Sequence, residues 1–294
     1  MNTRTRTLTA TVLAGVLTVT ATACTTAGSD EPSSAPPVAH IHDVAFAPDG
    51  AVLVGAHTGA YRIDLTTDEV SLVGDTVFDA MGLTVQGESI LASGHPAPDN
   101  QEDSFAPPNI GLVRHTETGW EQVSLAGVTD FHMLATTPAA PDFLLGLPSD
   151  RAALAASVDG GQTWADVAAL TARDISIDPT NPDVVTATTP EGLMVSRDAG
   201  SSFAPVGNAP MLVVIAADPT QEEGIIGAGA DGTIWTGTTK PGAVWKTAGH
   251  ATGIPAAISV SPDGTAAIAD DSGVRITTDA GNTWRTVLVT EPTS

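Results

Sequence analysis

The chain has 294 residues, 42% of them hydrophobic, with 34 acidic residues against 11 basic ones and a formal net charge of −23. That length buries enough apolar surface for one large domain or two small ones, and so acidic a surface excludes nucleic-acid binding, repels anionic headgroups and attracts cations. The single cysteine excludes an internal disulfide, so stability has to come from burial.

In chain order, residues 1–23 read as a signal peptide: Arg4 and Arg6, a short apolar run, then Ala21-Thr22-Ala23. The run is too short and too rich in threonine to span a membrane. Cys24 follows directly, before TTAGSDEPSSAPP. This resembles a bacterial lipobox, with residues 24–39 as a flexible tether from a lipidated Cys24; an ordinary secretory leader cut nearby is the alternative. Cleavage before Cys24 removes Arg4 and Arg6 and leaves 9 basic against 34 acidic residues, a charge of about −25.

Residues 40–290 read as an all-β domain. Val44 to Pro48, Ala51 to Ala56, Ala60 to Asp64 and Val70 to Val73 form four short apolar runs divided by turn residues. Equivalent units begin near Leu83, Leu134, Ile175, Ile215 and Ile258, and no helical period interrupts them. Six units of about forty residues predict a six-bladed β-propeller. Seven blades would require splitting the segment from Gly94 to Pro107, which reads as a loop.

Three units carry one template, S/T-x-D-x-G-x-S/T-aromatic. They are Ser157 to Trp164 with Asp159 and Gly161, Ser196 to Phe203 with Asp198 and Gly200, and Thr277 to Trp284 with Asp279 and Gly281. Asp caps backbone N–H groups, Gly supplies a positive φ, and the aromatic ring anchors the next strand. This is the Asp box, a structural turn, so these aspartates are poor catalytic candidates. Trp120, Trp164, Trp245 and Trp284 stand at the start of each unit's last strand, where packing between blades is expected.

The histidines follow the repeat. Aligned by unit, His42, Met81, His132, Arg173, Val213 and Ala256 share one position, and two residues earlier in the first three units stand His40, Asp79 and Asp130. The second runs superpose His57 on His95. His40, His42, His57, His95, His132 and Met81 are therefore expected on one face of the propeller, around the channel mouth in blades one to three. His115 is expected on the other face, and His250 before blade six. Imidazoles with a thioether and carboxylates suit a transition metal, copper or zinc, and the methionine tilts the choice toward copper. Ligands to one ion should lie roughly 3–4 Å from each other.

HIHDVAF, AHTGAYRID, DAMGLTV, ASGHP and TDFHML, followed by the Asp boxes, resemble a family of exported lipoproteins from high-GC Gram-positive bacteria called BNR-repeat or sialidase-like glycosylhydrolases. The resemblance implies a lipid anchor on the outer face of the plasma membrane and a propeller shared with sialidases, sortilin-type receptors and photosystem II assembly factors. It does not by itself imply an activity. A sialidase needs three arginines, a Tyr/Glu nucleophile pair and an aspartic acid, and Tyr61-Arg62-Ile63-Asp64 matches its Arg-Ile-Pro signature only in part.

Three functions stay open on the sequence. One is a binding module with a metal at the mouth. A second is a glycoside hydrolase using channel carboxylates, with Asp79 and Asp130 as candidates and Asp43 and Asp174 nearby. The third is a scaffold for an extracytoplasmic protein or glycan partner.

Overall fold

A computed structural model describes residues 38–97, 105 and 107–290. The leader at 1–23, Cys24 and the tether up to residue 37 lie outside them. The described residues form six four-stranded antiparallel sheets and no helix, each sheet built from four consecutive strands. The inner strands are Ile41–Phe46, Phe78–Gln86, Phe131–Thr136, Asp174–Ile177, Val214–Asp218 and Pro255–Val260, and each contacts the next around the ring, the last meeting the first. This is the six-bladed β-propeller expected from the repeat. The loop expected over 94–107 starts later, because Ser89–Pro96 is one continuous strand.

Alternation along each strand sends apolar side chains into the gaps between blades, and six buried clusters result, one per gap. The ring closes without a strand exchanged between the ends. Val44, Val54, Tyr61 and Ile63 of blade one pack with Ala257, Ala269, Val274 and Ile276 of blade six, and Arg285 holds Asp68 through 2.6 and 2.7 Å bonds and donates to the Leu65 carbonyl at 3.0 Å.

Each Asp box folds as its residue types require. In the first, Asp159 Oδ1 accepts from the Thr163 N–H at 2.9 Å, Asp159 Oδ2 from the Thr163 hydroxyl at 2.6 Å, and Ser157 Oγ from the Gly161 N–H at 2.9 Å. Asp198 and Asp279 repeat the pattern, and the Thr163 and Ser202 bonds hold the Asp159 and Asp198 carboxyls down at about 2. The tryptophans tie blade to blade: Trp120 Nε1 donates to Val73 O at 2.9 Å, Trp164 Nε1 to Ser124 Oγ at 3.2 Å and Trp284 Nε1 to Ala248 O at 3.2 Å.

The box glycine is where the turn meets the preceding blade. Gly281 has φ +88°, and a Cβ there would stand 2.0 Å from the Ala248 carbonyl oxygen. Gly281→Ala therefore combines a left-handed backbone with a collision against main chain, and is expected to cost at least about 1–2 kcal/mol. Chemical denaturation checks this, with Gly50→Ala, where the added Cβ meets nothing within 4 Å, separating the backbone effect from the clash.

Candidate metal centre

The inner strands of blades one, two, three and six each carry a β-bulge at their start. In blade one Ile41 pairs with Ala56 and Asp43 with Gly55, which leaves His42 as the extra residue; Met81, His132 and Ala256 are the extra residues in the other three. A bulge re-aims the side chain it frees. The position shared by His42, Met81 and His132 in the sequence is thus a bulge on the ring of inner strands. Gly94 allows the one in blade two, since a Cβ there would lie 1.9 Å from Asp79 O and 3.0 Å from Met81 N.

Two triads result. In the first, His57 Nδ1 lies 2.7 Å from Asp79 Oδ2, His42 Nε2 lies 3.2 Å from Asp79 Oδ1, and the two ring nitrogens are 3.3 Å apart. In the second, His95 Nε2 and His132 Nε2 lie 3.4 and 3.3 Å from Asp130 Oδ2. Within each triad the three donor atoms all fall within 4.8 Å of one another. Donors placed about 2 Å from one tetrahedral ion stand about 3.3 Å apart, so the spacing fits a d-block ion.

The carboxylates are buried and the imidazoles are not. Asp79 and Asp130 are 8% and 0% exposed, whereas the side chains of His57, His95 and His132 are 47%, 38% and 48% exposed. Asp79 Oδ1 and Asp130 Oδ2 are buried without a hydrogen bond, although each faces ring nitrogens at 3.2–3.4 Å. Ser149 donates to the other Asp130 oxygen. Burial works to raise both carboxyls, and the neighbouring rings outweigh it and leave both below the ordinary carboxylate range: His42 and His57 for Asp79, His132 and His95 with Ser149 for Asp130. His132 is raised, first by its Asp130 contact and further by the charges of Asp130 and Asp79, against burial.

The imidazoles expected in one cluster fall into two. Each carboxylate at the start of an inner strand reaches back to an imidazole at the end of the second strand of the preceding blade: Asp79 to His57, just past Val52–Ala56, and Asp130 to His95, inside Ser89–Pro96. His42 completes the first triad from the bulge of blade one. The corresponding bulge for the second is Met81, and there His132 completes the set from the next blade. His40 stands outside both triads, edge-on to His57 at 5.0 Å between ring centroids, on a backbone with φ 49°. His115 packs edge-on against Trp120, and His250 Nδ1 meets Ala251 O at 2.7 Å.

The other channel carboxylates have a different task. Asp43 Oδ2 accepts from the Leu83 N–H of blade two and Oδ1 from Val44 N–H, both at 2.8 Å; Asp174 accepts from Ile215 of blade five and Ile175, both at 2.7 Å. They are clips between blades. Burial pushes Asp174 up to about 7 and raises Asp43 well above its ordinary value, with the Asp174 charge adding to the latter. Between about 3.9, the unfolded value, and 7 the folded chain holds a proton that the unfolded chain has lost, so stability falls as pH rises through this window. The melting temperature is expected to be higher at pH 5 than at pH 8, by an amount equivalent to a few kcal/mol (about 1.4 per unit), and Asp174→Asn should flatten that slope. Thermal melts across the range check it.

Tyr61 and Arg62 carry no site. Tyr61 is fully buried, its hydroxyl donating to Thr58 O at 3.0 Å, and Arg62 pairs with Asp49.

Fold and site together define a six-bladed β-propeller with paired His/Asp triads on its inner ring. No protein-family model matches the chain, and no curated protein matches it either. Among solved structures it is similar to the GH74 xyloglucanase from Xanthomonas campestris, at 17% identity and a TM-score of 0.55 over 85% of this chain and 46% of that one. It is also similar to the WD40 β-propeller domain of Doa1, at 13% identity and a TM-score of 0.59 over 87% of this chain and 84% of that one. YCF48 bound to a D1 peptide matches at 16% identity and a TM-score of 0.51, over 86% of this chain and 82% of that one. The chain spans less than half the length of the GH74 enzyme, and at these identities the likeness shows the fold alone.

Proposed function

We propose that the chain is a binding propeller whose channel mouth takes up a transition metal, zinc or copper(II), at the outer face of the membrane to which a lipidated Cys24 tethers it. One observation carries this reading. Two buried carboxylate oxygens, Asp79 Oδ1 and Asp130 Oδ2, lack hydrogen bonds while facing imidazole nitrogens at 3.2–3.4 Å. A buried carboxylate oxygen without a hydrogen bond is costly, and an ion between it and the imidazole nitrogens satisfies all three donors at once. Two imidazoles and a carboxylate suit Zn(II) and Cu(II). Three protein ligands leave a coordination position open, the mark of an exchanging site as opposed to a structural one. Zinc added to the metal-free full chain and followed by calorimetry tests the reading: uptake that disappears in the combined Asp79→Asn, Asp130→Asn variant supports it, and heat unchanged by that variant refutes it.

Glycoside hydrolysis through Asp79 and Asp130 is disfavoured by the imidazoles packed against both carboxylates. A general acid needs a raised pKa, and both carboxyls are lowered by the imidazoles against them.

A scaffold function has one supporting observation. Val128, Met211 and Ile254, in the turns that lead into inner strands, are 65%, 60% and 67% exposed, an apolar supply for a protein partner on the face that carries the histidines. A partner recovered by crosslinking whose binding ignores chelators would favour it over metal capture.

A further inference from the structure

We propose that the two triads work as one centre, holding a pair of divalent d-block ions near enough to interact and to share an oxygen ligand. This rests on the metal-binding reading above and extends it from a place for an ion to a two-ion site.

The backbone pairing brings the triads together. Asp79 and His95 are direct partners between Phe78–Gln86 and Ser89–Pro96, and opposed residues in such a pair hold their Cβ atoms about 4.5–5.5 Å apart. Asp79 nevertheless turns to His42 and His57, and His95 turns to Asp130 and His132. One rung of blade two therefore supplies a ligand to each triad, one toward blade one and the other toward blade three. The next rung, Ala80 with Gly94, carries the bulge that frees Met81, and only glycine permits that approach.

The coordination arithmetic points the same way. Each triad offers three donor atoms, so each ion keeps at least one position for a ligand from solution. The half-exposed side chains of His57, His95 and His132 make both triads reachable from solvent. Two ions flanking one rung, each with a position for a solution ligand, can be bridged by a water, hydroxide or small oxyanion. The carboxylates Asp79 and Asp130 offset part of the mutual repulsion of the ions, and the acidic chain favours their concentration at the mouth.

Copper(II) titrated into the metal-free full chain, read by metal analysis and electron paramagnetic resonance, tests the proposal. Wild type is expected to bind two equivalents, and at the second equivalent the spectrum should broaden and gain a half-field transition from coupled spins. His57→Ala and His132→Ala, both at half-exposed positions, should each lose one of the two equivalents and show an isolated, uncoupled spectrum. Two equivalents whose spectrum is the plain sum of isolated ions would overturn the proposal, as would a single equivalent ligated by nitrogens from both triads; either result leaves the metal-binding reading standing. No copper uptake by wild type would remove both.

Discussion

Alanine at Phe131 is expected to destabilise the propeller by about 3–5 kcal/mol, the cost of emptying a large aromatic site that cannot collapse. Phe131 is fully buried with Leu91, Leu112, Leu134 and Leu144. Its ring lies on Gly146, occupying the space of the missing side chain at 2.5 Å from the place a Cβ would take, and packs against Trp164 at 4.4 Å between centroids. The Gly146 backbone fixes one wall and the Trp164 ring another, so the cavity remains. The same residue separates Asp130 from His132 along the inner strand, and its N–H accepts no freedom either, being donated to Ser93 Oγ at 2.8 Å. Phe131→Ala should therefore weaken ion binding at the second triad more than at the first. Urea denaturation measures the stability loss; Val158→Ala, at a side chain 77% exposed, should stay within about 0.5 kcal/mol of wild type.

Asp130→Asn is expected to lower the affinity of the second triad for zinc more than about 100-fold, beyond the loss usual for groups that only orient a ligand. The metal-free protein should be affected far less, because the amide keeps an oxygen to accept from Ser149 and the imidazole partners are half exposed. That separation is the signature of a ligand. A carboxylate serving as a structural clip behaves oppositely: Asp174→Asn leaves one oxygen for the Ile175 and Ile215 N–H groups where the carboxylate offers two, and should affect stability without changing metal uptake. Competition with a chromophoric chelator, beside a melt of the metal-free variants, measures both quantities.

The sequence displays the fold through its repeats because a propeller blade cannot bury its faces alone and each unit must repeat the same solution. The Asp boxes at Asp159, Asp198 and Asp279 and the tryptophans beside them were legible for the same reason: their turn chemistry is local. The histidine positions were legible from alignment of units, but their division into two triads was not. That division depends on where each bulge re-aims a side chain and on Asp79 and Asp130 reaching back across a blade boundary, neither of which leaves a mark in one-dimensional spacing. The inter-blade clips had a faint signal, His42-Asp43-Val44 and Arg173-Asp174-Ile175, an aspartate before a β-branched residue at the start of an inner strand. Closure had none, since Arg285 and Asp68 meet across 217 positions.

An ion between His42, His57 and Asp79, and another between His95, His132 and Asp130, is the central claim. Anomalous diffraction from crystals of the protein soaked in zinc measures this directly. The account predicts two peaks within about 2.2 Å of those ring nitrogens and carboxylate oxygens. Peaks only at surface carboxylates elsewhere, with the imidazoles unmoved and unligated, would contradict it.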